Sequence, residues 1–423
     1  MRDGGRVAAA IEVLAEMAAR HRPAHLALRA WGEGARYAGA KDRAFVSGLV
    51  LDALRHRRSL AWMMGEENER AAVFGVLRFV WNWPVDRLQT AGAEAHGPGG
   101  LTEFELDRLS QPKSLDDAPS PVAGDYPDWL DPHFERAFGA KRRQELEAMA
   151  ARAPVDLRVN ALRTDMAHVQ KALAVFQSEP LGFPAHALRI APPAAADRAA
   201  PVEATPEFEK GWFEVQDQGS QIAAAVAGEI VGAQVLDFCA GGGGKTLALA
   251  AAMENTGQLY AYDSDARRLA ETVKRARRAG VRNLQVRSPL DPEALKGLEG
   301  RMDLVFVDAP CTGSGTWRRH PDAKWRLTEA QLSQRMAEQD QILQAASTYV
   351  KPGGGLIYVT CSLLAEENED RVAQFLAADA RFATEPPDVA EAQAWRTVEG
   401  FLRMTPLKSG CDGFFVAALR RRS

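Results

Sequence analysis

The sequence predicts an α/β fold in which a doubly wound, mostly parallel sheet fills the C-terminal half, preceded by an all-α domain and a small α+β connector domain. From Gly211 onward, short β-branched segments alternate with helical stretches, as right-handed βαβ units require. Residues 1–110 instead carry apolar side chains at helical spacing, in Val7, Ile11, Leu14 and Met17 and again in Phe45, Leu49 and Leu54, with few β signals between them. Between these regions, a strand-helix-strand pattern runs into an Ala/Pro tract at 191–206 that packs poorly and reads as a solvated connector. The expected domains are 1–125, 126–206 and 207–423.

Each element follows from its residues. In the helical domain, GAEAHGPGG (92–100) is a loop and QPKSLDDAPSPVAGDYP (111–127) has the composition of a linker. The connector domain starts with the strand DLRVN, continues in a helix over 166–176 and returns through HALRI. The last domain reads QVLDF, a helix after Lys245, QLYAY, a helix over 266–279, NLQV, DLVFV, a long helix over 328–350 and GLIYVT. A turn at 411–413 then leads into FFVAAL, expected as an antiparallel edge strand. In such sheets ligands sit outside the carboxyl ends of the strands.

The chain has 423 residues, 46% hydrophobic and 26% charged, which excludes a single small module and disorder throughout. With 52 basic and 56 acidic residues, the formal charge of -4 does not point to a nucleic acid, so only local clustering could. No apolar run is long enough for a membrane span, and the first residues lack a signal-peptide pattern, so a cytoplasmic protein with no membrane partner is expected. Cys239, Cys311, Cys361 and Cys411 form no C-x-x-C pair, so neither a metal site nor a redox dithiol is expected.

The first strand of the last domain ends in VLDFCAGGGGKT. Gly241, Gly242, Gly243 and Gly244 allow close backbone approach, and the following helix offers unpaired N–H groups. The end of this run resembles a phosphate-binding P-loop, but that motif requires glycine where Cys239 stands. The second strand ends at Asp263, where a carboxylate can accept hydrogen bonds from ribose hydroxyls. A glycine loop with a ribose carboxylate and no phosphate signature points to S-adenosylmethionine. A plain strand-to-helix turn explains four glycines less well, because each adds a conformational entropy cost.

Two further strands end in DLVFVDAPC and GLIYVTCS, which puts Asp308 and Cys311 at one strand mouth and Cys361 at another. A lone cysteine is usually a small buried hydrophobe. Two at corresponding positions beside an acid suit methylation of pyrimidine carbon 5, which becomes nucleophilic only after a thiolate adds to carbon 6. An acid such as Asp308 can protonate or hydrogen-bond the N3 side, and a cation such as Lys245 favours the thiolate. Afterwards a second cysteine or a water must remove the carbon 5 proton. Spacing does not decide which cysteine attacks.

Five ordered segments carry a family resemblance: WFEVQDQGSQ (212–221), DFCAGGGGKT (237–246), DAPCTGSGTWRRHPDAKW (308–325), VTCSLLAEEN (359–368) and DGFFVAAL (412–419). With them the chain resembles the RNA cytosine-5 methyltransferases of the Sun family, and within it the B-type branch acting on 16S rRNA. AKDRAFVSGLVLDALRHRRSL resembles the NusB-like N-terminal domain of that branch. The resemblance implies a Rossmann-like, S-adenosylmethionine-dependent domain that acts on RNA, with ribosomal RNA favoured over transfer RNA; a monomer is expected. It makes Cys361 the nucleophile and Cys311 the aid to product release. Asp308 and Lys245 would contact the base. The loop Cys239, Ala240, Gly241 to Lys245 would hold the methionine part of the cofactor, to which Asp308 also contributes, and Asp263 the ribose. The chain departs from the pattern at the third strand, where Pro289 or Leu290 stands in place of an acidic residue and Asp291 comes slightly late.

Three basic clusters could meet RNA. The helix and strand at 263–287 hold Arg267, Arg268, Lys274, Arg275, Arg277, Arg278, Arg282 and Arg287, and Arg55, Arg57 and Arg58 form another group. In TWRRHPDAKWR, Arg318, Arg319, Lys324 and Arg326 interleave with Trp317 and Trp325, a composition suited to phosphates beside unstacked bases. The competing readings are a P-loop nucleotide hydrolase and a non-catalytic RNA-binding factor.

Overall fold

A computed structural model describes every residue except Arg198, which lies in the Ala/Pro tract. The chain forms two compact units. One comprises Met1–Arg152, Pro192–Ala199 and Trp317–Leu327, and the other Ala153–Ala191, Ala200–Thr316 and Thr328–Ser423.

The first unit is helical. It opens with α1 (Asp3–Arg20), α2 (Ala24–Gly34), α3 (Ala40–Arg55), α4 (Arg57–Met64) and α5 (Glu69–Gly75). The apolar stripe of α1, with Val7, Val13, Leu14 and Met17, packs into one core with Phe45, Leu49 and Val50 of α3 and with Phe74 of α5. Residues 111–127 are not a free linker. The Asp125 carboxylate accepts the Arg58 and Ser59 N–H groups at 2.8 and 2.9 Å and the Ser59 hydroxyl at 2.6 Å, which caps the first turn of α4. Tyr126 is fully buried beside it. The compact unit runs on to Arg152, whose guanidinium closes on Asp52 at 2.6 Å.

The second unit contains two sheets. The smaller is antiparallel, in the order β2 (Glu179–Pro180), β3 (Ala187–Ile190), β1 (Val155–Val159), β4 (Phe213–Val215). The larger is built around β5 (Gln234–Asp237), β6 (Gln258–Tyr262), β7 (Leu284–Arg287), β8 (Met302–Asp308) and β9 (Val350–Thr360). These five are parallel in the order β7-β6-β5-β8-β9. Val235, Leu236, Val305, Phe306, Ile357 and Val359 are buried among them, as expected where helices cover both faces.

Two expectations need correction. The strand β12 (Phe414–Arg421) is antiparallel to β9 but not at the edge, because β10 (Phe382–Thr384) and β11 (Leu402–Met404) both pair with it. The long helix stops at Ser347 rather than 350, because Val350 already pairs with Met302 as the first residue of β9.

The chain leaves β5 toward β6 and β7 on one side and returns on the other to β8. Loops after β5 and β8 therefore diverge and open a crevice at the carboxyl ends of the strands. Four helices of this unit matter below: α6 (Gly244–Ala252), α7 (Ala266–Ala279), α8 (Glu329–Ser347) and α9 (Glu369–Ala378).

Candidate active site

The turn from β5 into α6 needs its glycines. Gly241 and Gly243 have φ of +54° and +84°, and a Cβ on Gly241 would lie 2.5 Å from the Arg268 guanidinium. The loop is tied from several sides. The Gly241 N–H donates to Asp263 Oδ2 at 2.8 Å, the Thr272 hydroxyl to the Gly241 carbonyl at 2.9 Å, and Arg275 to the Gly242 carbonyl at 2.6 Å. Asp263 also accepts the Asp265 N–H through Oδ1 at 2.8 Å. Each of its oxygens thus has one backbone donor and keeps a second lone-pair direction for a ribose hydroxyl.

Lys245 and Thr246, the residues that would bind phosphate and magnesium in a P-loop, face inward. Lys245 Nζ donates to Asp308 Oδ2 at 2.7 Å, and the Thr246 hydroxyl to Asp237 Oδ2 at 2.6 Å. With both groups committed to the protein, the P-loop reading loses its chemistry. Asp237 is fully buried and, among the described residues, its Oδ1 has no hydrogen-bond partner. Burial pushes its carboxyl up to about 7. A shallow glycine cradle, a ribose-ready carboxylate and an unsatisfied buried acceptor fit a nucleoside cofactor with a cationic methionine tail. Asp237 was not among the expected site residues, although it is the last residue of β5 and so stands where this fold places ligands.

The two strand-end cysteines meet. Cys311 Sγ lies 3.4 Å from Cys361 Sγ, although 50 residues separate them. The contact with Cys361, burial and the nearby Glu367 charge push the Cys311 thiol well up, so it is held as S–H and can donate to Cys361. Burial and the carboxylates of Asp237, Asp263 and Asp308 likewise push Cys239 well up, which disfavours it as a nucleophile. Cys411 is buried against the Ser409 hydroxyl at 2.9 Å.

Residues 229–420 match the family described as 16S rRNA methyltransferase RsmB/F, and residues 126–197 match the ferredoxin-like domain of RsmF/B-like methyltransferases. The ribosomal RNA small subunit methyltransferase B of Citrobacter koseri is 31% identical over 301 residues, covering 70% of this chain and 67% of that one. This chain belongs to the RsmB/F family. A probable ribosomal RNA small subunit methyltransferase B from Synechocystis is 29% identical over 90% of this chain and 91% of its own length. Among solved structures, a methyltransferase homolog protein from Pyrococcus horikoshii is 28% identical with a TM-score of 0.61, covering 73% of this chain and all of that one.

The basic clusters come out differently from the expectation. Arg318 and Lys324 are only 4% exposed and Trp317 1%. Lys324 Nζ donates to the Arg55 carbonyl at 2.8 Å, Arg55 donates to the Arg318 carbonyl at 2.9 Å, and Trp325 Nε1 to the Leu54 carbonyl at 2.7 Å. The segment Trp317–Leu327 is therefore a strap packed within the helical unit, and Lys324 and Arg318 do not present charge to RNA. Arg326 is exposed but paired with Asp322 at 2.9 Å, and Arg319 is half-buried. Of the α7 arginines, Arg275 and Arg278 turn inward to Glu214 of β4 at 2.8 and 2.6 Å, while Arg267, Arg268, Lys274 and Arg277 are exposed. After the third strand, Leu290 is 82% exposed.

Proposed function

We propose that this S-adenosylmethionine-dependent rRNA methyltransferase modifies carbon 5 of a cytosine in 16S rRNA through a covalent adduct between Cys361 and carbon 6. The observation that carries the reading is the 3.4 Å approach of Cys311 and Cys361 at the mouths of β8 and β9, beside the Lys245–Asp308 pair. The cofactor, when bound along the glycine loop and Asp263, supplies an electrophilic methyl group. The Cys361 thiolate donates its electron pair to carbon 6, and the ring electrons move toward N3, where the Lys245–Asp308 pair holds the proton. Carbon 5 then carries the electron pair that takes the methyl group. A water beside Cys311 takes the carbon 5 proton, the C5–C6 double bond re-forms, and Cys361 leaves as the thiolate to which the Cys311 S–H donates. The target base must leave any stack to reach these groups.

Both cysteines and the whole glycine loop lie within one chain, so the site needs no second copy, which suits a monomer; the rRNA substrate suits a cytoplasmic protein. Among the described residues, no helix is long and apolar enough to cross a membrane. Bisulfite sequencing of rRNA from cells with and without the gene should lose one 5-methylcytosine in 16S rRNA; loss in 23S or transfer RNA instead would reassign the substrate. Cys361→Ala should abolish methyl transfer, whereas Cys311→Ala should accumulate a protein-RNA adduct that survives a denaturing gel. Full activity of Cys361→Ala would overturn the mechanism.

A further inference from the structure

Next to the two cysteines lies a carboxylate to which the reaction above gives no role. Glu367 is fully buried, and four donors converge on it. Its Oε1 accepts the Thr312 N–H at 2.8 Å and Gln339 Nε2 of α8 at 3.0 Å. Its Oε2 accepts the hydroxyls of Thr312 and Ser362, both at 2.5 Å. Thr312 follows Cys311 and Ser362 follows Cys361, so one side chain grips the neighbour of each cysteine.

The grip is closed on every side. Gln339 Nε2 also donates to the carbonyl of Pro310, the residue before Cys311, at 2.9 Å. The Gly315 N–H donates to the Cys361 carbonyl at 2.9 Å, and the Ser314 hydroxyl lies 3.1 Å from that of Ser362. The Tyr358 hydroxyl donates to the Glu367 carbonyl at 2.7 Å and fixes its backbone. A buried carboxylate is costly without donors, and here the donors are supplied by the two loops it joins.

We propose that Glu367 is the positioning residue that sets the spacing of Cys311 and Cys361, bracing both cysteine loops from a single carboxylate. This rests on the reading of those cysteines as the reacting pair. The charge also bears on Cys311. Glu367, Cys361 and the Tyr358 ring surround it, and the nearest arginine of α9, Arg371, is committed to Asp340 at 2.6 Å rather than to Glu367. The carboxylate thus favours the protonated form of Cys311, which is the form that can donate to a Cys361 thiolate.

The test uses the full-length enzyme, its rRNA substrate and two variants, Glu367→Gln and Glu367→Ala. Both should bind S-adenosylhomocysteine within about twofold of wild type in calorimetry, because the glycine loop is untouched. For methyl transfer, kcat should fall about 10-fold in Glu367→Gln and about 100-fold in Glu367→Ala with little change in KM for RNA, the range over which misplacing a reacting group acts. A merely structural role would not move the pH dependence of Cys311 alkylation, read by peptide mass mapping. In Glu367→Gln it should shift to lower pH because the neighbouring charge is gone. Near wild-type kcat in Glu367→Ala, or an unmoved Cys311 profile in Glu367→Gln, overturns the inference. Wild-type activity in Cys361→Ala overturns instead the reading on which it rests.

Discussion

Asp237 combines two properties that rarely occur together: it is fully buried, and one carboxylate oxygen has no partner among the described residues. Burial pushes it up to about 7; Thr246 and Lys245 act against the shift, and Asp308 and Asp263 add to it. In the unfolded chain the same group titrates near 3.9, as Asp does generally. Between the two values the folded state binds the extra proton, so stability falls as pH rises through this window and the loss is complete above about 7. A shift of this size corresponds to about 4 kcal/mol. Asp237→Asn keeps an oxygen for the Thr246 hydroxyl and carries no charge. Its melting temperature without ligand should therefore fall less than that of wild type between pH 4 and 7 and exceed it at pH 8. A variant curve parallel to wild type would mean that Asp237 is not the titrating group. If the ligand's cationic group supplies the partner that this acceptor lacks, Asp237→Asn should weaken binding of S-adenosylhomocysteine, measured by calorimetry at the same pH.

At the scale of elements, the strap Trp317–Leu327 shows why part of the site was legible in the sequence and part was not. Strand-end residues were legible. A parallel sheet delivers its reactive groups at carboxyl ends, so Asp308, Cys311 and Cys361 could be placed from the pattern of strands alone. Interleaved cations and tryptophans were not, because a surface for nucleic acid and a strap buried under its own hydrogen bonds have the same composition. What decides is the partner, and Arg55 lies 269 residues from Lys324. The four-way bonding of Glu367 was hidden for the same reason, since Thr312 is 55 residues away from it. Lys324→Met separates the two readings. Burial lowers the Lys324 ammonium to about 8, a cost of about 3 kcal/mol at neutral pH. The substitution removes that cost but strands the Arg55 carbonyl, worth about 1–3 kcal/mol, so the two effects nearly cancel at pH 7. Above pH 8 the buried lysine deprotonates in the folded state first, so wild type should gain stability over the variant up to about pH 10, measured by urea unfolding. A phosphate contact would instead lower the slope of log affinity against log salt by about 0.7–0.9. For Lys324→Met that slope should not change.

For the whole molecule, the sheet order makes the cofactor site a product of long-range closure. Asp237, Asp263 and Asp308 come from β5, from the residue just beyond β6 and from β8, and they converge only when β5 pairs with β6 on one side and β8 on the other. A ligand held by these groups binds the assembled sheet and not the unfolded chain, so it stabilises the second compact unit by about 2.7 kcal/mol at 100 times its Kd. The effect belongs to amides that exchange only when the sheet opens as a whole; fraying ends are released by local motions that leave the site intact. With saturating S-adenosylhomocysteine, hydrogen exchange in peptides from β5, β6 and β8 should slow about 100-fold, the factor to which that free energy corresponds. Peptides from α1, α3 and α4 carry none of the residues assigned to the cofactor and should keep their rates. Protection confined to the 241–246 turn would show that the ligand orders a loop on an already independent sheet. Equal slowing in β5 and β8, which are paired although their last residues, Asp237 and Asp308, lie 71 residues apart in the chain, would show instead that cofactor binding and formation of the central strand pair are one cooperative event.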